Sequence, residues 1–433
     1  MTTNPIDFIH TLDAAAIPAP VLAQAKLSLR DLIGVAVGGS ATRLAGIIRD
    51  HAAEDMPGTM PILFDGRGST AAGAALSAGM VIDSLDGHDG FNPSKGHIGC
   101  PLLPAMLALA HGDCTGADFL QTLVMGYEFG ARAAIAQHGS VPDYHTSGSW
   151  GAVTGAAAGA RLRKLDPGQT RHALGIAEYH GPRSQMMRVI DHPTMLKDGS
   201  GWGALCAVQA VQMAARGFTG APAITVEEAP QVWGDLGRRW YMLEQYYKPY
   251  PVCRWAQAPV EAILSLRRAH GLAPEDVARI EVETFHEAVR LATNRPRTTE
   301  EAQYSTSFPC ALAMVHGDVT PAALMDTALD DPRVLRLSEG LEMVESAHAN
   351  GPFPLKRLAR VRLHLVDGRV LQSGWTEPRW DHDAPPTPDE LHAKFTALAA
   401  PLGQTRAQAI ADVIDTLETR PLDDLRTLLA RPI

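Results

Sequence analysis

Apolar residues recur every third or fourth position through most of the chain up to about residue 270. In "PVLAQAKLSLRDLIGVAVGG", residues Leu22, Ala25, Leu29, Leu32, Ile33 and Ala36 share one face of a 3.6-residue repeat. This predicts a helix that stops at Gly38–Gly39. "TAAGAALSAGMVIDSLD", "LLPAMLALAHG", "GADFLQTLVMGYEFGARAAIA" and "GALCAVQAVQMAARGF" repeat the pattern. They are so rich in Ala and Gly, and so poor in charge, that they are apolar almost all round. Helices of that kind sit inside a bundle. Near residue 275 the period changes from 3.6 to 2. "VARIEVETF" alternates Ile280, Val282 and Thr284, as a strand does. "LARVRLHLVDGRVLQSG" alternates Val361, Leu363 and Leu365 and then meets Asp367–Gly368, a hairpin signal. A proline-rich exit, "EPRWDHDAPPTPDE", leads back to helical spacing in "LHAKFTALAAPL", "TRAQAIADVIDTLE" and "LDDLRTLLA".

Composition narrows the class. The 433 residues are 45% hydrophobic and 20% charged, an ordinary soluble globular balance. A net charge of −10 argues against nonspecific nucleic-acid binding. It leaves room for an anionic substrate, because a local cluster of cations reverses the field inside one cleft. The five cysteines (Cys100, Cys114, Cys206, Cys253 and Cys310) form no C-x-x-C pair. A disulfide framework, a zinc ribbon and a local iron–sulfur motif are therefore not expected, and a reducing compartment is. The N-terminal residues lack the basic start and apolar core of a signal peptide. No stretch reaches the roughly 18 apolar residues of a membrane span. The expected location is the cytoplasm.

Four polar islands interrupt the apolar helices. The first, "DSLDGHDGFNPSKGHIGCPLLPA", packs Asp83, Asp86, His88, Asp89, Lys95 and His97 before a buried helix. Imidazoles and carboxylates at this density suit proton transfer. They would also suit a metal ion, or a solvated loop, although the spacing matches no standard zinc pattern. The second, "YHTSGSWGAVTGAAAGARL", carries Tyr144, His145, Thr146 and Ser149 at a helix start. There, hydroxyls cap free N–H groups and those N–H groups also bind carboxylates. The third places Arg183, Arg188, His192 and Lys197 in a region otherwise almost free of charge. Arginine forks match carboxylates, and a desolvated lysine exchanges protons. The fourth, "YYKPYPVCRWAQAPVEA", delivers Lys248, Tyr250 and Arg254 on a proline-stiffened segment. Together the islands are locally basic within an acidic chain. That points to a small polycarboxylate substrate. No G-x-G-x-x-G, P-loop or G-x-S-x-G supports a nucleotide, phosphate or α/β-hydrolase reading.

At these islands the chain resembles the MmgE/PrpD family, which includes 2-methylcitrate dehydratase, cis-aconitate decarboxylase and iminodisuccinate epimerase. The likeness rests on "LIGVAVGGS", "GHIGCPLLPA", "GYEFGARAA", "YHTSGSWGAVTGAAAGARL", "RHALGIA", "TMLKDGSGWGA", "ARGFTGAPA" and "KPYPVCRW", in the family's order over residues 25–260. The resemblance implies a mainly α fold with a large all-helical domain, residues 1–268 and 395–433, and a smaller α+β lid domain, residues 269–394. It implies a site between them, a homodimer, no iron–sulfur cluster and no other cofactor or metal. By position it carries over Asp86, His97, His145, Lys197 and Lys248. Two positions depart: Cys310 stands where the family often has Tyr, and Ala256 or Gln257 where it often has His.

All three family activities develop negative charge beside a carboxylate, which preorganised cations stabilise. The expectation is that His145 or Lys197 moves the proton, while Asp86 and His97 orient or supply a second one. Lys248, Arg183, Arg188, Tyr144 and Tyr250 would bind the substrate. The leading expectation is a 2-methylcitrate dehydratase-like hydro-lyase. The family alternatives are an iminodisuccinate epimerase-like isomerase and a cis-aconitate decarboxylase-like lyase. Two other classes stay open. One is a metal-dependent hydrolase built on Asp86, His88, Asp89 and His97, and the other is a noncatalytic carboxylate-binding protein. Neither nucleic acid nor membrane is an expected partner.

Overall fold

The computed structural model describes residues 4–433. At its centre is the helix Ser147–Leu162, buried at every residue except Arg161. Glycines at 148, 151, 155 and 159 give it a stripe with no side chains, and the helix Ser200–Ala214 lies directly on that stripe. A Cβ at Gly148 would lie 2.1 Å from the Gly199 carbonyl oxygen, and one at Gly203 would lie 2.5 Å from that of Gly148. On the other side of Ser200–Ala214, the helix Ala71–Leu85 makes the same backbone approach, with a Gly79 Cβ 2.5 Å from the Gly201 Cα. Three polar helix ends are thereby drawn together. Overpacking a close-packed core costs about 1–3 kcal/mol. Gly148→Ala is therefore expected to lower the unfolding free energy by about that amount, read as a reduced urea midpoint at unchanged slope.

The helix Ala71–Leu85 ends at Asp86, which is left-handed (φ 52°, ψ 33°). Asp tolerates that conformation better than most residues. The turn opens the loop that runs to the helix Gly99–Leu109. The chain's last helices, Pro388–Leu398, Gln404–Asp415 and Leu422–Ala430, return to the first core, where Phe395, Ile410, Ile414 and Leu425 join Leu29, Leu32 and Ile33 of the helix Ala19–Gly39. Lys394 braces the loop: its Nζ donates to the Gly87 carbonyl at 2.7 Å and pairs with Asp31 at 2.6 Å.

A second core is built on a four-stranded sheet. Its order is Glu342–Glu345, Val277–Thr284, Ala359–Leu365, Val370–Gln372, with the first pair parallel and the others antiparallel. Ile280 faces Leu363 and Val282 faces Val361 across the ladder. Both pairs are fully buried. The hairpin turns at Asp367–Gly368, where Gly368 has φ +88°. The fold class is the one expected: mainly α, with a smaller α+β part.

The structure moves both domain boundaries. The sequence reading ends the first domain at 268, but the helix Arg254–His270 packs Ala256, Val260 and Ile263 into the sheet's core, which begins at Tyr250. At the other end the returning helix starts at Pro388, not 395. Thr387 and Glu390 form its capping box inside what reads as a proline-rich exit. Among the described residues no single helix is long and apolar enough to cross a membrane.

Candidate active site

The two cores meet at a small cavity. It is lined by Asp86, Lys95, His97, Tyr144, Met186, Asp198, Tyr246, Lys248, Cys253, Arg254, Trp255, Tyr304 and Arg357, of which Met186, Cys253, Trp255 and Tyr304 belong to a third, smaller apolar cluster against which Tyr144 packs. Its free volume is about 20 Å³, room for one water. A roomier groove of about 460 Å³, lined mostly by apolar residues such as Leu63, Pro104, Leu107 and Leu429, carries none of these groups.

Lys248 and Asp86 form the most buried ion pair of the site. The ammonium donates to Asp86 Oδ1 at 2.5 Å and to the Asp86 carbonyl at 2.9 Å. Burial alone would raise the Asp86 pKa, but the charges of Lys248 and Lys197 outweigh it and hold the carboxyl at about 2. For Lys248 burial pulls down and Asp86 pulls up, and the result is raised. Both stay charged at neutral pH.

His97 is the opposite case. Its Nδ1 lies 2.6 Å from the Asp89 carbonyl oxygen, which only accepts, so Nδ1 carries the hydrogen. Burial, then the neighbouring His88 and Lys248, push its pKa well below the usual imidazole range. At neutral pH it is therefore uncharged, with a lone pair on Nε2. The His88 ring stands edge-on at 4.2 Å and is also neutral, its pKa held at about 3 by burial and then Lys248. His97 Nε2 lies 4.0 Å from Asp198 Oδ2. That oxygen accepts from Ser147 Oγ, which in turn accepts the His97 N–H at 2.9 Å. The close helix packing fixes this arrangement, since the Asp198 carbonyl accepts the Gly148 N–H at 3.0 Å.

Four cations line the cavity: Lys95, Lys248, Arg254 and Arg357. Arg254 pairs with Asp381 at 2.6 Å, and Arg357 donates to Asn92 Oδ1 at 2.5 Å. Asn92 closes the network by donating to both Asp381 oxygens, at 3.1 and 3.0 Å. Lys95 is half-buried, with Nζ 5.1 Å from the Tyr144 ring centre. The only carboxylates in the lining are Asp86, already paired, and Asp198. The field in the cavity favours an anion.

Of the residues the sequence singled out, Asp86, His97, Tyr144 and Lys248 line this cavity. Lys197 stands just behind it: fully buried, its Nζ donates to Gln303 Oε1 at 2.6 Å and lies 4.5 Å from the Tyr304 ring centre. His145 is buried beside His138 and outside the lining, its backbone bridged to Gln185. Three expectations need correction. Arg183 and Arg188 are exposed and line nothing, because the short helix Met186–Asp191 turns Met186, Val189 and Ile190 inward and Arg188 outward. Tyr250 belongs to the second core, where its hydroxyl donates to Glu261 at 2.8 Å. The hydrolase quartet also fails to converge. Asp86 is held by Lys248 and the Asp89 carboxylate by the Tyr127 hydroxyl, and no three of the four lie within ligand reach of one another.

The departures at Cys310 and Gln257 fall outside the lining too. Cys310 is in the second core, and the Gln257 amide donates to the Tyr250 and Val252 carbonyls at 2.9 and 3.0 Å. The cavity's phenols are Tyr144, Tyr246 and Tyr304. Sequence reasoning missed Asp198, Tyr246, Tyr304 and Arg357. Asp198 had a signal, a carboxylate directly after Lys197 in an uncharged stretch. Arg357 had none, since it precedes a strand whose other arginines face outward.

A neutral imidazole and a buried carboxyl are faced by cations between a helical bundle and an α+β domain. The chain matches the MmgE/PrpD N-terminal domain over residues 6–232 and the MmgE/PrpD C-terminal domain over residues 250–419. It belongs to the MmgE/PrpD family. Similar proteins include a cis-aconitate decarboxylase-like protein, oryM, of Aspergillus oryzae, 26% identical over 483 aligned positions that cover 99% of this chain and 96% of the relative. The cis-aconitate decarboxylase of Aspergillus terreus is 24% identical over 461 positions, covering 95% and 92%.

Proposed function

We propose that this protein is a lyase of small hydroxy-polycarboxylates, removing water as a 2-methylcitrate dehydratase does. The observation that carries the reading is His97: an uncharged imidazole whose lone pair faces a cavity lined by four cations. A base of this kind takes a proton from carbon beside a carboxylate. Cations then stabilise the enolate-like charge where it forms. Lys248 stays charged next to Asp86, and Arg254, Arg357 and Lys95 face the remaining carboxylates. Tyr144, which donates to the Lys95 carbonyl, holds the loop that carries Lys95. Lys197 acts from behind, setting the position of Tyr304.

The relatives' names favour a second reading, decarboxylation of a cis-aconitate-like acid. There the bond to a carboxylate breaks, CO2 leaves, and the resulting carbanion takes a proton. Proton NMR of the enzyme with 2-methylcitrate, citrate, cis-aconitate and iminodisuccinate separates the readings. The expected result is an unsaturated tricarboxylate formed from a hydroxy acid without CO2. CO2 release from cis-aconitate would replace it with the decarboxylase reading, and racemised iminodisuccinate with an epimerase. Binding of all four without turnover would leave a carboxylate-binding protein.

A further inference from the structure

Asp198 is the one carboxyl in the cavity without a cationic partner. It is 3% exposed, and its Oδ1 is buried with no hydrogen-bond partner. Its Oδ2 is held by Ser147 Oγ and stands 4.0 Å from His97 Nε2. Its own N–H donates to Asp83 Oδ2 at 3.2 Å, which fixes the residue against the helix Ala71–Leu85. Burial, then the charge of Asp83, raise its pKa far above that of an ordinary carboxyl, against the Ser147 hydrogen bond. So next to a base that has lost its proton lies a carboxyl pushed up to about 7, which shares a proton with Asp83 below that pH. Environments that push two titratable groups apart in this way mark the acid and base assignments.

We propose that Asp198 is the general acid of the reaction, and that His97 returns to it the proton taken from substrate carbon. The step rests on the dehydratase reading above. His97 Nε2 takes the C–H proton, and the freed electron pair forms the C=C bond. The C–O bond breaks with its electrons on oxygen, and the Asp198 O–H gives that oxygen its proton, so water leaves. The imidazolium then stands 4.0 Å from a carboxylate, too far for direct transfer, so the water just formed carries the proton back to Asp198 and resets both groups. Substrate becomes alkene plus water, and nothing else is consumed.

The groups that face Asp198 set its pH behaviour. Asp83 and Asp86 raise its affinity for the proton, while Lys248 lowers it. His97 is neutral across from it. Tyr144, Tyr304, Cys100 and Cys253 also face it, but all have raised pKa values and stay protonated through the neutral range. The alkaline limb of kcat therefore belongs to Asp198, shared with its neighbour Asp83.

The test compares wild type with Asp198→Asn on the hydroxy substrate and on an analogue whose leaving hydroxyl is replaced by fluoride, which departs without a proton. The expected result is a loss of at least 100-fold in kcat on the hydroxy acid, a loss at least tenfold smaller on the fluoro analogue, and disappearance of the alkaline limb. Equal losses on both substrates, or a loss under threefold, would overturn the assignment. If Asp198→Asn does not fold, Asp198→Glu replaces it, and an unchanged alkaline limb there would count against the proposal. One arm needs no turnover. The infrared spectrum of wild type minus Asp198→Asn at neutral pH should contain a protonated-carboxyl carbonyl band. Its absence sinks the acid role alone. Its presence in an enzyme that turns over none of the substrates would sink the dehydratase reading instead.

Discussion

Replacing Lys248 by methionine is expected to abolish measurable turnover and to lower the unfolding free energy by about 3–5 kcal/mol. The side chain is 0% exposed, and its partner Asp86 is 4% exposed. Removing the ammonium strands a carboxylate in a low-dielectric site. That site holds it at about pKa 2 only because Lys248 and Lys197 outweigh burial. The paired variant Lys248→Met/Asp86→Leu should regain most of the stability and none of the activity. It removes both charges together, and a buried pair is worth little net against an apolar substitute. The sign of the pH dependence follows from the same shifts. The Asp86 pKa is depressed in the fold, so its contribution is present above the unfolded value near 3.8 and fades as pH falls toward about 2. The Lys248 pKa is raised, so its contribution is complete below 10.5 and fades as pH climbs past that value. On these two titrations alone the difference in stability between wild type and the paired variant is flat between about pH 5 and 9; a slope there, read by urea titrations at several pH values, reports Asp198 and Asp83, whose proton affinities the pair helps to set.

His97→Gln is the second large effect. A general base contributes typically 10²–10⁴-fold, and the loss in kcat should fall in that range while the fold survives. A glutamine amide still donates to the Asp89 carbonyl, so the loop keeps its anchor, but the amide carries no lone pair basic enough to take a proton from carbon. KM should change little, because the cations that hold the carboxylates are untouched. A large rise in KM with kcat preserved would make His97 a binding group.

How much of this was legible beforehand depends on what each residue does locally. The period-3.6 and period-2 segments placed the bundle and the sheet, because their burial is one-sided or total and the pattern states which. The helix Arg254–His270 was assigned to the wrong core because amphipathic spacing shows that a face is buried, not against what. The helix start at Pro388 was hidden because Thr387 and Glu390 form a capping box among prolines that read as an exit. In the site, Asp86, His97 and Lys248 stood out as charges beside buried helices, and the structure does gather them. Arg183 and Arg188 stood out for the same reason and point to solvent. The decisive fact is which face of the short helix Met186–Asp191 turns inward, Met186, Val189 and Ile190 rather than Arg188, and charge spacing does not encode that. Arg357 reaches the cavity from far along the chain, and only the folded arrangement brings it beside Asn92.

The central claim is that His97 exchanges a proton with carbon beside a carboxylate. The most direct measurement runs the reaction backwards, incubating the unsaturated acid with enzyme in D2O and reading deuterium at that carbon by NMR. Wild type is expected to deliver a single deuteron to one face, and His97→Gln to lose this delivery by at least 100-fold. Equal deuterium incorporation by the two proteins, or none by wild type with the unsaturated acid, would contradict it.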